Sequence, residues 1–457
     1  MSAIEKAVKY AQAHQKEFLE DLKALLRIPS ISTLPDHEAD MLRAAEWIAG
    51  RLRGLDFENV RIIPTDRHPV VFGESLNAGK EAPTLLFYGH YDVQPSDPID
   101  EWLSDPFEPE IRGDDIFARG SSDMKAQLVA HLSALTSMIR TSGLPVNVKY
   151  MIEGEEEIGS PSLERFMLAN KDLLASDLCL NGDAGILSPD SPSITYALRG
   201  LNYFEIRVEG PSSDLHSGLF GGAIDNPALV LCELIAGMRD ETGRITLPGF
   251  YDNVRPLSKD ERADLAKLPF DDDWWRAQTG VEVLHGEQDY TPMERATARP
   301  SFDVNGFLSG FTGKGSKTVL PSKAMAKISF RLVSDQTPEQ AYKSLMAYME
   351  ANAPPTIKWE VEEISGCMPA IVERDSQSVR AASRAFKAVW GKTPLFSRTG
   401  GSVPVVGLIQ QLMGVDCLML GFGLPDDNLH APNEKQHLPN FHRGIETYIH
   451  FMHEVVR

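Results

Sequence analysis

Apolar positions in the first 27 residues recur at helical spacing. Ile4, Val8, Ala11, Phe18, Leu22, Leu25 and Leu26 fall near one face, which predicts one amphipathic helix over 3–27 that stops before Pro29. A second helix is predicted over about 40–54, with Gly54 as its stop. The pattern then changes to short apolar runs. Residues 84–88 (TLLFY), 146–152 (VNVKYMI) and 177–181 (DLCLN) read as strands, with a helix over 124–141 between the first two. Strands alternating with helices predict a largely parallel α/β sheet. The runs lead into Gly89-His90, Glu153-Gly154 and Gly182-Asp183, each pairing a small residue with a ligand-type one. Open α/β sheets hold ligands at the carboxyl ends of their strands, so these three motifs are expected to meet on one sheet edge.

From about residue 200 the period shortens to two. Residues 203–209 (YFEIRVE) and 324–333 (AMAKISFRLV) alternate, 357–363 (IKWEVEE) does so more weakly, and helices are expected at 227–239 and 338–351. This predicts a small α+β module with an antiparallel sheet. Residues 252–316 are polar, rich in Pro and Gly and weakly periodic, and read as a long excursion within it. The helix–strand rhythm returns after 377, with a helix at 378–390, a strand at 417–420 and a closing helix at 439–456. The expected plan is discontinuous: a main domain from 1–198 and 377–457, with a second domain inserted over 199–376.

Composition narrows the function. The 457 residues are 42% hydrophobic and 24% charged, as in a globular protein of two domains. The formal charge of −20 disfavours nucleic acid and anionic membranes as partners. Metal ligands would account for part of that acid excess. Four cysteines, none in a Cys-x-x-Cys pair, suggest free thiols in a reducing compartment. The N-terminus lacks the apolar core of a signal peptide, and no run approaches the roughly 18 apolar residues of a membrane span. A cytoplasmic location is expected.

The candidate chemistry lies at the ends of the apolar runs. His90 is followed two residues later by Asp92, a pairing of imidazole ligand and orienting carboxylate. Asp123 follows the small residues Gly120, Ser121 and Ser122. Glu155, Glu156 and Glu157 are three consecutive carboxylates just past a buried strand, where like charges raise one another's pKa and call for a compensating cation. Asp183 and His430 follow further apolar runs, and His216 lies in a loop. A helix cap, a solvated acidic loop or a plain turn accounts for each of them singly. Together they form an oxygen and nitrogen donor set without sulfur, suited to zinc, manganese or a related ion. Five candidate ligands exceed the three plus water of one catalytic zinc and point to two ions sharing a carboxylate.

Seven segments in order carry a family resemblance: GHYDVQP (89–95), GSSDMKA (120–126), EGEEEIGS (153–160), NGDAG (181–185), HSGLFGG (216–222), TGGSVPV (399–405) and LHAPNE (429–434). The chain resembles the metallopeptidase family that includes carnosinase, aminoacylase, succinyl-diaminopimelate desuccinylase and glutamate carboxypeptidase, and is most similar to its dipeptidase and carnosinase branch. The resemblance implies a mostly parallel-sheet zinc-peptidase catalytic domain with an inserted α+β, ferredoxin-like lid and dimerisation domain. It implies two divalent ions per subunit, zinc first and manganese or cobalt next, and a homodimer formed through the inserted domain. Asp123 would bridge the ions, with His90 and Asp183 completing one site and Glu157 and His430 the other. Asp92 would orient His90, and Glu156 would be the general base. His216 would polarise the scissile carbonyl in the partner subunit's site. Arg331 would grip the substrate carboxylate, with Gly400, Gly401 and Ser402 lining that pocket. The implied activity is hydrolysis of dipeptides or short peptides with a free C-terminal carboxylate, of dipeptidase or carboxypeptidase type. Its alternatives are an N-acyl amino acid deacylase or desuccinylase and a catalytically silent homologue acting in binding. Carnosinase-type members carry His-Gly-x-x-Pro-Trp where this chain has Ser365-Gly366-Cys367-Met368-Pro369-Ala370, which points away from carnosine as the preferred substrate.

Overall fold

A computed structural model describes residues 1–456. The chain forms two compact units, each with its own apolar core. The first comprises Met1–Tyr196, Val372–Ser397 and Leu408–Arg457, and the second Ala197–Ile371 and Arg398–Gly407.

The first unit is built on a six-stranded sheet. Its order is Glu58–Ile63, Val70–Ser75, Asn147–Glu153, Thr84–His90, Leu178–Asn181 and Cys417–Met419. The last four run parallel, while the first two pair antiparallel at one edge. Thr84–His90 and Asn147–Glu153 are almost wholly buried, which explains their unbroken apolar runs. Lys125–Ile139 is buried along nearly its whole length, its polar residues Lys125, Gln127 and His131 included. The predicted helix over 3–27 is two helices, Ala3–Ala13 and Gln15–Leu26, divided at His14. His14 stacks on Tyr10 and its Nδ1 meets the Tyr10 carbonyl oxygen at 2.8 Å. Both helices bury residues in the same core, so the apolar spacing runs on across the break.

The second unit is a four-stranded antiparallel sheet ordered Ser301–Ser309, Lys323–Leu332, Gly200–Glu209, Lys358–Cys367. Helices Pro227–Gly237 and Pro338–Asn352 pack on it, giving the βαββαβ order of a ferredoxin-like module. Gly200–Glu209 alternates buried and half-buried residues along its length. The 252–316 excursion is more regular than its composition suggests. It holds helices Lys259–Leu265, Asp272–Thr279 and Pro292–Ala298, then the edge strand Ser301–Ser309. That strand buries none of its residues fully, so it lacks the alternation that marks the others. Two of the helices begin with capping boxes, Ser258 with Glu261 and Thr291 with Glu294, a local signal the apolar pattern does not carry. No helix among the described residues is long and apolar enough to cross a membrane.

Candidate metal centre

Four ligand-type side chains of the first unit meet where its parallel strands end. His90 closes Thr84–His90 and is fully buried. Its Nε2 lies 3.1 Å from Asp123 Oδ1, and its Nδ1 lies 3.1 Å from the Asp92 carbonyl oxygen and 3.4 Å from Asp92 Oδ1. From the opposite side, His430 Nε2 lies 3.0 Å from Asp123 Oδ2 and 3.3 Å from Glu157 Oε2. Asp123 thus offers one oxygen to each imidazole. His430 itself has a φ of 60°, a left-handed backbone that costs a β-carbon residue on the order of 1–3 kcal/mol. Gly89 lets the Asp123 loop come close: a β-carbon there would sit 2.7 Å from Met124 Cε.

The glutamate triplet divides by partner. Glu155 is buried and accepts from the Thr65 hydroxyl at 2.6 Å, the His68 N–H at 2.9 Å and the Ser162 N–H at 3.1 Å, so it ties loops together. Glu156 and Glu157 donate their N–H groups to the two Asp92 carboxylate oxygens at 3.3 and 3.0 Å. Asp92 therefore faces both the His90 ring and the backbone of this pair. Asp183 follows Leu178–Asn181, and its N–H donates to Asn181 Oδ1 at 2.8 Å.

Burial and close like charges shape the protonation of this cluster. Burial, then the Asp123 charge, pushes Glu157 up to about 8 and Asp183 up to about 7. Burial also raises Glu156, opposed by His90 and assisted by Asp123. The hydrogen bond to Asp123 raises His430 to about 9. Burial would lower His90, yet hydrogen bonds to Asp123 and Asp92 hold it well above its usual value. Asp123 is buried as well, but its two imidazole contacts keep it ionised, below the ordinary range. The histidines thus carry protons that cations would replace. His90, Asp123 and Glu157 each present a donor atom, all within 4.8 Å of one another, and this oxygen and nitrogen set fits a divalent metal ion.

Two supports were not singled out from sequence. Glu434 is buried, and its carboxylate accepts from Arg119 Nη1 and the N–H groups of Gly120, Ser122 and Asp123, at 2.8 to 3.0 Å. Gln94 Nε2 donates to Glu157 Oε2 at 2.7 Å. Both lie inside segments already noted, LHAPNE and GHYDVQP. Neither lies near the residue it supports, Glu434 being 311 positions from Asp123 and Gln94 63 from Glu157, so their place inside those segments was the one signal the sequence carried.

The other candidates belong to the second unit. Arg331 Nη1 donates to Ser402 Oγ at 2.8 Å, and among the described residues Arg331 makes no ion pair. Cys367, raised by burial, also hydrogen-bonds with Ser402. The Gly400 carbonyl oxygen accepts from Arg199 Nε at 3.1 Å, and the Gly401 N–H donates to Thr399 Oγ1 at 3.2 Å. His216 is exposed, and its Nδ1 accepts from the Gly218 N–H at 3.0 Å, which leaves Nε2 as the protonated nitrogen.

Residues 86–454 match the model of peptidase family M20/M25/M40. The β-Ala-His dipeptidase of Mus musculus is 30% identical over 471 residues, covering 99% of this chain and 95% of that protein. A Cys-Gly metallodipeptidase of Candida albicans is 31% identical over 464 residues, covering 95% and 94%. Among solved structures, an M20 family metallo-carboxypeptidase from Sulfolobus solfataricus is similar with a TM-score of 0.80 at 33% identity, covering 96% of this chain and all of that one.

Proposed function

The chain belongs to peptidase family M20/M25/M40, and from that premise we propose that it hydrolyses the amide bond of dipeptides and short peptides with a free C-terminal carboxylate, with two divalent ions as cofactors. The observation that carries this reading is the Asp123 carboxylate facing His90 with one oxygen and His430 with the other, with Glu157 in contact and Glu156 adjacent. The near full-length likeness to proteins named as dipeptidases supports dipeptide hydrolysis over the deacylase and silent-homologue readings.

In this reading Asp123 would be shared by the ions, His90 and Asp183 would hold one of them, and Glu157 and His430 the other. Zinc suits the donor set best, with manganese and cobalt next. When bound, such ions polarise the scissile carbonyl and acidify water. Glu156, its carboxyl raised by burial, takes the water's proton and passes it to the leaving amine. Asp92 holds the His90 ring and the Glu156–Glu157 backbone together. The substrate roles fall to the inserted unit in this reading: Arg331, without an ion pair among the described residues, and Ser402 would grip the substrate's carboxylate beside Gly400 and Gly401. His216, with Nδ1 occupied by the Gly218 N–H, would donate from Nε2 to the developing oxyanion in the partner subunit's site. We further assign this unit the lid and dimerisation role; the free cysteines of the chain support a reducing, cytoplasmic location.

The test is Glu156→Ala in metal-loaded enzyme, assayed on β-Ala-His, Cys-Gly and N-acetyl amino acids. Metal stoichiometry stays at the wild-type value, while kcat on dipeptides falls by about 10²–10⁴-fold. Wild-type turnover in the variant removes Glu156 as base. A wild-type preference for N-acetyl amino acids removes the dipeptidase reading.

A further inference from the structure

Within the second unit lies a cavity of about 290 Å³ lined by four arginines, Arg199, Arg239, Arg295 and Arg299. Its only lining carboxylates are Glu287 and Asp303. Glu287 is already committed: it accepts from Nε and Nη2 of Arg299 and lies 3.8 Å from Arg244. Asp303 is exposed. Arg295 donates only to backbone, to the carbonyl oxygens of Glu287 at 2.7 Å and His285 at 3.1 Å, and neither neutralises it. Arg239 is exposed and makes no ion pair or side-chain hydrogen bond among the described residues, so its guanidinium is open to a ligand. Arg199 meets the neutral acceptors Gly400 O and Ser301 Oγ; burial, then the charge of Arg331, pushes it down to about 10, with the Asp303 carboxylate opposing them in part. Trp275 lines the same cavity, and its indole Nε1 is buried without an acceptor.

Guanidinium and indole N–H groups are donors only. A buried donor left unpaired is costly, and unmatched guanidiniums form their strongest hydrogen bonds with oxyanions. The four lining arginines outnumber the two carboxylates, and Trp275 Nε1 is a buried donor without an acceptor, so an oxyanion would add both an acceptor and balancing negative charge.

We propose that this cavity binds a small molecule bearing an oxyanion, carboxylate or phosphate, held by Arg239, Arg295 and Trp275. Arg199 lines the cavity and also holds the Gly400 carbonyl, so occupancy changes how the Gly400–Ser402 loop is held. This coupling rests on the reading of Arg331 and Ser402 as the carboxylate grip; the binding does not.

The test is calorimetric titration of metal-loaded enzyme with inorganic phosphate and, separately, with succinate. Wild type, Arg239→Gln and Trp275→Phe are compared, each first shown to melt like wild type. Saturable binding of at least one anion is expected, weakened about tenfold or more in each variant. The tighter anion identifies the source. The bound anion shifts the wild-type KM for a dipeptide by about twofold or more, and the shift disappears in Arg239→Gln, whose kcat without anion equals wild type. No saturable binding overturns the proposal. So does equal binding by both variants, which assigns the anion to the metal centre. Variant-sensitive binding with an unchanged KM overturns the coupling. Loss of peptidase activity in every protein, with anion binding intact, would count against the proposed function instead.

Discussion

Replacing Glu434 with Gln keeps the side chain's shape but turns one carboxylate oxygen into an NH₂ group. In the native chain Oε2 accepts from Arg119 Nη1 and the Gly120 N–H, and Oε1 from the N–H groups of Ser122 and Asp123. Whichever way the amide turns, two of these four donors face another donor. Each buried group so stranded costs about 1–3 kcal/mol. Arg119 and Glu434 are both 1% exposed, and removing one charge of a buried pair costs about 3–5 kcal/mol. The two costs overlap where Arg119 is itself a stranded donor, so the expected loss is about 3–5 kcal/mol rather than their total. Because the Asp123 N–H is one of the four donors, the damage reaches the carboxylate proposed to be shared by the ions, and metal affinity should fall about 10–100-fold. Urea unfolding of the metal-free protein reads the first quantity, and competition against a chelator under folding conditions reads the second. A loss below about 1 kcal/mol together with wild-type metal affinity refutes the reasoning, because the Asp123 loop would then stand without its anchor.

Removing the metal should make stability fall as pH rises. Glu157 and Asp183 sit at about 8 and about 7 in the folded chain, against ordinary values of 4.5 and 3.8. The folded form holds protons that the unfolded form releases, so their contribution is complete below about pH 4 and is lost through pH 7–8. His430, at about 9 rather than 6.5, acts in the same sense at higher pH. Lys125, pushed down to about 7 by burial, opposes the trend above neutrality, and His131, pushed down to about 3, opposes it below about pH 6.5, so melting of chelated protein between about pH 5 and 7 reads the net slope that the raised carboxyls dominate. A flat profile there contradicts the protonation pattern, and saturating zinc should remove most of the slope. Gly421→Ala tests the neighbouring strand ends: its new β-carbon would lie 2.0 Å from the Ala184 carbonyl oxygen and 2.5 Å from that of Gly182. Both obstacles are backbone, so the residues flanking Asp183 must shift, with a stability loss of about 1–3 kcal/mol or more and weaker metal binding. Wild-type urea midpoint and metal content would show that this close approach carries no constraint.

Much of the site was legible because its ligands follow local landmarks. His90 ends a buried strand, and Glu156, Glu157 and Asp183 lie a few residues past the ends of two more, all readable from apolar runs and turn residues. The choice of Glu156 and Glu157 over Glu155 came from motif spacing, and Glu155 is found bound to Thr65, His68 and Ser162. The break at His14 and the strand Ser301–Ser309 were missed for opposite reasons. Two helices facing one core keep a continuous apolar spacing, and an edge strand with few buried residues has no alternation to read.

Hydrophobic periodicity and turn chemistry are properties of neighbouring residues, so the chain alone determined its element types, its inserted α+β module and its donor set without sulfur. Distances between donors are not local. Asp123 and His430 are 307 positions apart, and only packing of the parallel strands and the loops at their ends brings them to 3.0 Å. The role of Glu434 as anchor and the raised carboxyls beside Asp123 come from that packing, because hydrogen-bond partners and burial exist only once distant segments are side by side.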